Sequence, residues 1–340
     1  MLIELSQNRA FLGNEKITSI YFGGGTPSLL TNREIDSFLE LITKEFNLEK
    51  DIEITLEANP DDLTGQKIAE LKKAGINRLS IGVQSFFDKD LKMLNRAHDA
   101  KMAVSCIENV LKEGFDNFTI DLIYGLPEST LQDWEDNLTL FLSFDIPHLS
   151  AYSLTYEDRT AFGNWVKKGN LTPLEESLTV AQFKYLMNQM NQAGYEQYEI
   201  SNFAKSGKQS RHNSSYWLGE PYLGCGPSAH SFNGEIRRWN ASNNSKYVKA
   251  IEEGEIAYEQ ESLTLKDHFN EYLLTSLRTS WGCDLKVMEQ RFGRLKVSEF
   301  KNECVPFLDK SLLTFNGSAV ILTEKGKLVA DMITSDLFTV

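Results

Sequence analysis

The chain has 340 residues, 41% of them hydrophobic, enough for one large core and a smaller appended domain. A formal net charge of −13 argues against a general nucleic-acid binder, because sequence-independent affinity for phosphate backbones comes from clustered Lys and Arg. No apolar run approaches the roughly 18 residues that cross a bilayer and no basic-then-apolar leader opens the chain, so the cytoplasm is the expected compartment.

Residues 1–16 read as the tail of a helix and a loop. A short β-branched and aromatic run then ends in Gly23, Gly24 and Gly25, followed by Thr26 and Pro27: a strand entering a turn whose backbone a ligand can approach closely. Thr31 and Glu34 form a capping box, and Ile35, Phe38, Leu39, Ile42 and Phe46 recur at helical spacing. The strand–helix unit repeats. Ile52, Ile54 and Leu56 alternate along a second strand; after the Asn59–Pro60 break a helix bearing Ile68 and Leu71 stops at Gly75. Leu79, Ile81 and Val83 mark a third strand, with helical sequence to Gly114. Phe118, Ile120 and Leu122 mark a fourth, followed by a helix from Thr130, and 148–155 is a fifth. Strands alternating with helices at this spacing predict a parallel sheet, open or part of a (β/α) barrel.

The apolar set of each strand must cover the surrounding helices, so the other set faces inward. That set is Glu53, Thr55, Glu57, Ser80, Gly82, Gln84, Thr119 and Asp121. A polar interior is costly unless it serves water or a polar ligand. Glu57, Gln84 and Asp121 also lie toward the C-terminal strand ends, where such folds bind ligands.

From Tyr156 the pattern changes. Thr172-Pro173-Leu174-Glu175 reads as a capping box opening a helix to Gly194, and Ser210–Phe232 as an irregular aromatic and glycine-rich loop. Asn316-Gly317 reads as a type I′ hairpin turn within a winged-helix-like domain starting near Glu261. The expected division is 1–160 partial barrel, 161–260 helical and loop extension, and 261–340 winged-helix-like domain.

Together YFGGGTPSLL at Tyr21–Leu30, EANP at Glu57–Pro60, RLSIGVQSF at Arg78–Phe86, LNRAH at Leu94–His98, DLIYGLP at Asp121–Pro127 and HLSAYSLT at His148–Thr155 resemble the radical S-adenosylmethionine superfamily. Within it they resemble the oxygen-independent coproporphyrinogen III oxidase-like group, and RHNSSYW at Arg211–Trp217 resembles the signature of its haem chaperone branch. The resemblance implies an α/β fold, an incomplete parallel (β/α)6 partial TIM barrel with a C-terminal helical, winged-helix-like domain. It implies that Gly24, Gly25 and Thr26 contact the methionine amine and backbone of S-adenosylmethionine, Glu57 its ribose, and Gln84, Arg96 and Asp121 the rest of the ligand. For Arg96 the plain alternative is a surface salt bridge near Asp99. His212 is the implied haem-iron ligand; His98, His148, His230 and His268 have weaker claims.

The resemblance also implies a [4Fe–4S] cluster on a C-x3-C-x2-C loop. Cys106, Cys225, Cys283 and Cys304 have no such spacing, and Cys106 reads as a buried helix residue. About one strand–helix unit, on the order of 30–40 residues, is therefore expected upstream of Met1. The leading expectation is a haem chaperone delivering haem to an acceptor such as a respiratory haem protein. The alternative is an enzyme that decarboxylates coproporphyrinogen III in porphyrin biosynthesis. The chaperone is favoured over the oxidoreductase, with no nucleic-acid partner.

Overall fold

The structure, a computed structural model, describes residues 1–339. Its central element is a seven-stranded sheet in the order β1-β2-β3-β4-β5-β7-β6. The strands are β1 (Lys16–Phe22), β2 (Asn47–Ala58), β3 (Arg78–Gln84), β4 (Phe118–Tyr124), β5 (His148–Ser153), β6 (Glu196–Glu199) and β7 (Asn202–Ala204). The pairs from β2 to β5 are parallel, with Thr55 opposite Arg78, Ser80 opposite Thr119 and Asp121 opposite Ser150; β7 runs antiparallel to β5 and β6. The fold is therefore mixed α/β around a parallel-dominated sheet.

Two compact units share this chain, one made of Ser19–Asn32 and Glu53–Gln209, the other of Met1–Thr18, Arg33–Ile52 and the chain from Ser210 on. Helices α1 (Leu2–Gln7) and α2 (Asn32–Glu45) precede those of the first unit: α3 (Gly65–Lys73), α4 (Asp88–Met93), α5 (Ala100–Lys112), α6 (Leu131–Ser143), α7 (Ala161–Lys167) and α8 (Glu176–Gln192). Their starts are fixed by side-chain caps. Thr64, Asp99 and Thr130 accept the backbone N–H groups of Lys67, Met102 and Asp133, each satisfying a donor the first turn leaves orphaned. Leu56, Leu79, Ile81, Val83, Ile120, Leu122 and Leu149 are fully buried, as are Ile68, Leu71, Ile107 and Val110 on the helices, so the apolar alternation does cover the helical layer. Cys106 is buried on α5.

One expected start is displaced. The helix expected from Pro173 begins at Glu176, with Glu175 at its cap and no side chain capping it. Proline restricts the residue before it to extended backbone but does not oblige a helix to follow.

In the second unit a sheet of β8 (His230–Phe232), β9 (Ile236–Asn240) and β10 (Tyr258–Ser262) is antiparallel, in the order β10-β9-β8. Against it sits α1, through the buried Glu4. Its carboxylate accepts from Gly226 N–H at 2.9 Å and from the Asn240 amide and Tyr247 hydroxyl, while the Asn8 amide oxygen accepts from Arg238 at 2.7 Å. The segment expected as an irregular loop contains α9 (Arg211–Leu218), a correction with a local cause. Ser210 caps it by accepting the Asn213 N–H at 3.2 Å, and Gly219 at φ 69° ends it in the left-handed region that glycine adopts without strain. Helix α10 (Asn244–Glu252) follows. The C-terminal part strings α11 (Leu265–Leu277), β11 (Cys283–Asp284), α12 (Leu285–Phe292), α13 (Arg294–Asp309), β12 (Leu313–Asn316), β13 (Ala319–Leu322), α14 (Glu324–Lys327) and α15 (Ala330–Asp336). The predicted hairpin is present, but Asn316 pairs with Ala319, so Gly317 and Ser318 form the turn. Only Gly317 has positive φ, at 60°, the type II′ pattern in place of the expected I′. Among the described residues no helix is long and apolar enough to cross a membrane.

Candidate functional site

The inward-facing residues of β1 to β5 meet within the first unit, and Glu57 is their centre. Its Oε1 accepts the Tyr21 hydroxyl at 2.7 Å and its Oε2 accepts the Gly24 N–H at 3.0 Å, tying β2 to β1 and to the glycine turn. Gly24 and Gly25 have φ of 74° and 65°, and a Cβ at either would meet nothing within 4 Å, so the turn presents bare backbone to open space. A Cβ on Gly23 would instead lie 2.4 Å from the Tyr21 ring and 2.9 Å from Glu57. Thr26 follows as the residue before a 3-10 turn over Pro27–Leu29.

On β3 the pairing with β4 shifts between Ile81 and Gln84, and Gln84 sits at φ 68°. A bulge that places a non-glycine residue in left-handed backbone re-aims its side chain, and such strain concentrates at functional sites. Arg96 donates from Nη2 to Asn59 Oδ1 at 2.6 Å and to the Gly82 carbonyl at 3.1 Å. Asp99 is engaged elsewhere, accepting the Met102 N–H at 2.8 Å, so the bonds of Arg96 run into the cradle. A Cβ on Gly82 would meet Gln84 Nε2 at 2.9 Å, Arg96 Nη2 at 3.2 Å and Asn59 Oδ1 at 3.8 Å; the absence of that carbon is what lets the three side chains converge.

Asp121 completes the group. Burial, chiefly, pushes its carboxyl up to about 7, with Glu57 adding to the rise and Ser150, Arg78 and Arg96 opposing it. Burial and then the Glu57 charge also raise the Tyr21 hydroxyl, and burial and Asp121 raise that of Tyr152 to about 12. The structure thus brings Gly24, Glu57, Gln84, Arg96 and Asp121 together, with Gly25 and Thr26 on the adjoining turn. Tyr21, Asn59, Ser150 and Tyr152 were missed, although alternation along β1 and β5 places Tyr21, Ser150 and Tyr152 on readable inward positions.

This donor set fits an aminoacyl nucleoside. Carboxylates can take ribose hydroxyls, and Arg96 spends both Nη2 hydrogens on the protein while Nε–H and Nη1–H, on separate edges, remain as single donors for a ligand oxygen. The residues do not fit an iron–sulfur cluster. Burial raises the thiols of Cys106, Cys225 and Cys304 to about 12 and that of Cys283 well above its ordinary value, the opposite of what cluster ligation needs. Among the described residues no three His, Cys, Asp or Glu side chains group as metal ligands.

The predicted haem residue, His212, lies in the second unit on α9. It is one turn from Tyr216, ring centroids 5.0 Å apart and perpendicular, and Tyr216 packs in turn on Tyr222 at 4.7 Å. Burial holds His212 down to about 4, so its imidazole is neutral at pH 7. Trp217 donates to Asn213 at 3.1 Å and lies under the Arg278 guanidinium at 5.4 Å. Three of the other histidines hold structure: His98 bonds the Val83 carbonyl at 3.1 Å, His148 lies between Thr119 and Tyr198 at 2.7 and 2.8 Å, and His230 stacks on Trp239.

The parallel-dominated sheet is that of the HemN-like radical S-adenosylmethionine fold. In agreement, residues 7–141 match the Radical SAM superfamily and residues 263–329 the HemN C-terminal domain. A solved coproporphyrinogen III oxidase, HemN of Escherichia coli, shares the fold with a TM-score of 0.83 and 22% identity, covering 99% of this chain and 81% of that one. Heme chaperone HemW of Bacillus subtilis is 35% identical over 97% of this chain and 88% of its own length; that of Haemophilus influenzae is 34% identical over 96% and 84%. The chain belongs to the HemW family.

Proposed function

We propose that the chain binds haem at α9, with His212 as iron ligand, binds S-adenosylmethionine in the Glu57–Arg96–Asp121 cradle, and hands haem to an acceptor protein, such as a respiratory haem protein, in the cytoplasm. The observation that carries this reading is identity at about 35% over nearly the whole chain to a relative called a heme chaperone. Supporting it, α9 presents a neutral imidazole beside two tyrosines, a donor and an apolar platform suited to a porphyrin. The glycine turn and Arg96 would hold the amino-acid end of S-adenosylmethionine, and Glu57 its ribose. When loaded beside an iron–sulfur cluster, S-adenosylmethionine supplies radical chemistry in this superfamily; the four thiols of this chain do not fit that cluster, so the role proposed is binding and transfer.

Haem titration followed at the Soret band tests it. The wild type should retain haem and pass it to an apo haem protein, and His212→Ala should bind at least about tenfold more weakly, the loss expected for a direct donor. Turnover of coproporphyrinogen III without haem retention would favour the oxidase reading instead.

A further inference from the structure

The turn after β2 touches three other parts of the cradle at once. Asp62 Oδ2 accepts the Ser28 hydroxyl at 2.7 Å, which anchors the far side of the glycine turn, and lies 3.5 Å from Asn59 Nδ2. Asn59 Oδ1 accepts from Arg96. Asp61 Oδ1 stands 3.6 Å from Nδ1 of buried His98, whose Nε2 bonds the Val83 carbonyl one residue before the Gln84 bulge. Ser28, Pro60 and His98 are buried, so this hub is part of the packed interior.

We infer that Asn59 is a positioning residue that orients Arg96 and thereby makes the cradle select ligands bearing a free carboxylate. The inference rests on the S-adenosylmethionine reading. Its physical content is directional. The two acceptors on Nη2, Asn59 Oδ1 and the Gly82 carbonyl, fix the plane of the guanidinium and with it the directions in which the remaining Nε and Nη1 hydrogens point, one of which meets the ligand carboxylate. Without Asn59 only the Gly82 carbonyl remains, the side chain regains rotamers, and the ligand carboxylate loses its partner while the nucleoside keeps its own.

The experiment compares two ligands by calorimetry on the full chain: S-adenosylmethionine and its decarboxylated form, which keeps the sulfonium, amine and adenosine. Asn59→Ala should weaken S-adenosylmethionine about tenfold and the decarboxylated ligand less than about twofold, as for loss of one charge-assisted contact. In an Arg96→Met background Asn59→Ala should change neither affinity further, because Asn59 acts through Arg96. Equal losses for both ligands would reduce Asn59 to a general structural role, and unchanged affinities would remove any role; either overturns the inference. A wild type that binds neither ligand would refute the cradle reading itself, and this inference with it.

Discussion

Asp121→Asn should make the protein more stable, and more so as pH rises. A carboxyl ordinarily at 3.8 that titrates at about 7 in the folded state binds its proton more tightly folded than unfolded. Below 3.8 both states are protonated and the site costs nothing; between 3.8 and 7 the unfolded state gains by ionising while the folded state does not; above 7 the penalty is complete. At about 1.4 kcal/mol per tenfold in proton affinity, the cost is about 4 kcal/mol at pH 8, about 2 at pH 5 and near zero at pH 3. Asparagine keeps the shape without the charge, so even with part of the gain lost to imperfect hydrogen bonds the variant should gain at least about 2 kcal/mol at pH 8. Urea unfolding of both proteins at pH 5 and pH 8 measures the difference. A gain equal at the two pH values, or a loss at both, would refute the claim that burial of an ionisable Asp121 is stored strain. The same variant should bind S-adenosylmethionine more weakly, the exchange of stability for activity expected where a polar site is built into a core.

Gly82→Ala should leave the fold intact, because the added carbon meets the ends of the Gln84 and Arg96 side chains and no backbone, yet cut S-adenosylmethionine affinity about tenfold by dialysis; unchanged affinity would show that their convergence is immaterial. His148→Ala removes one hydrogen-bond partner from each of Thr119 and fully buried Tyr198 and leaves a cavity, an expected loss of about 2–4 kcal/mol in urea unfolding, and a loss under about 1 would refute that network. His212, ordinarily at 6.5 and held down to about 4, stays neutral in the folded protein through the mildly acidic range. Haem affinity should therefore be flat from pH 8 to 6 and fall only toward pH 4, whereas a midpoint near 6.5 by Soret titration would place the ligand elsewhere.

Much of the cradle was readable because strand alternation is a two-fold signal that survives ignorance of tertiary structure: once Leu56, Ile81 and Ile120 were assigned outward, Glu57, Gly82 and Asp121 had to face in. What alternation cannot show is backbone conformation. The positive φ of Gln84 arises from a register shift against β4, a relation between strands 30 and more residues apart in sequence. Nor can it show that Arg96, on a loop after α4, turns to Asn59 instead of to nearby Asp99. Around α9 the composition misled. Aromatic and glycine content suggested a loop, while Ser210 and Gly219 at the two ends were the helix signal. At the hairpin the Asn-Gly pair was assigned to the two turn positions, but the ladder continues through Asn316 and moves the turn on by one residue.

The fastening of α1 bears on how the molecule is made. The groups that receive the Glu4 carboxylate stand 222, 236 and 243 positions later in the chain. Until that distant stretch has been translated those partners do not exist, whereas the strands from Glu53 to Ser153 can already pair neighbour by neighbour. Assembly should thus be staged, with α1 docking only once the stretch that reaches Tyr247 has been made.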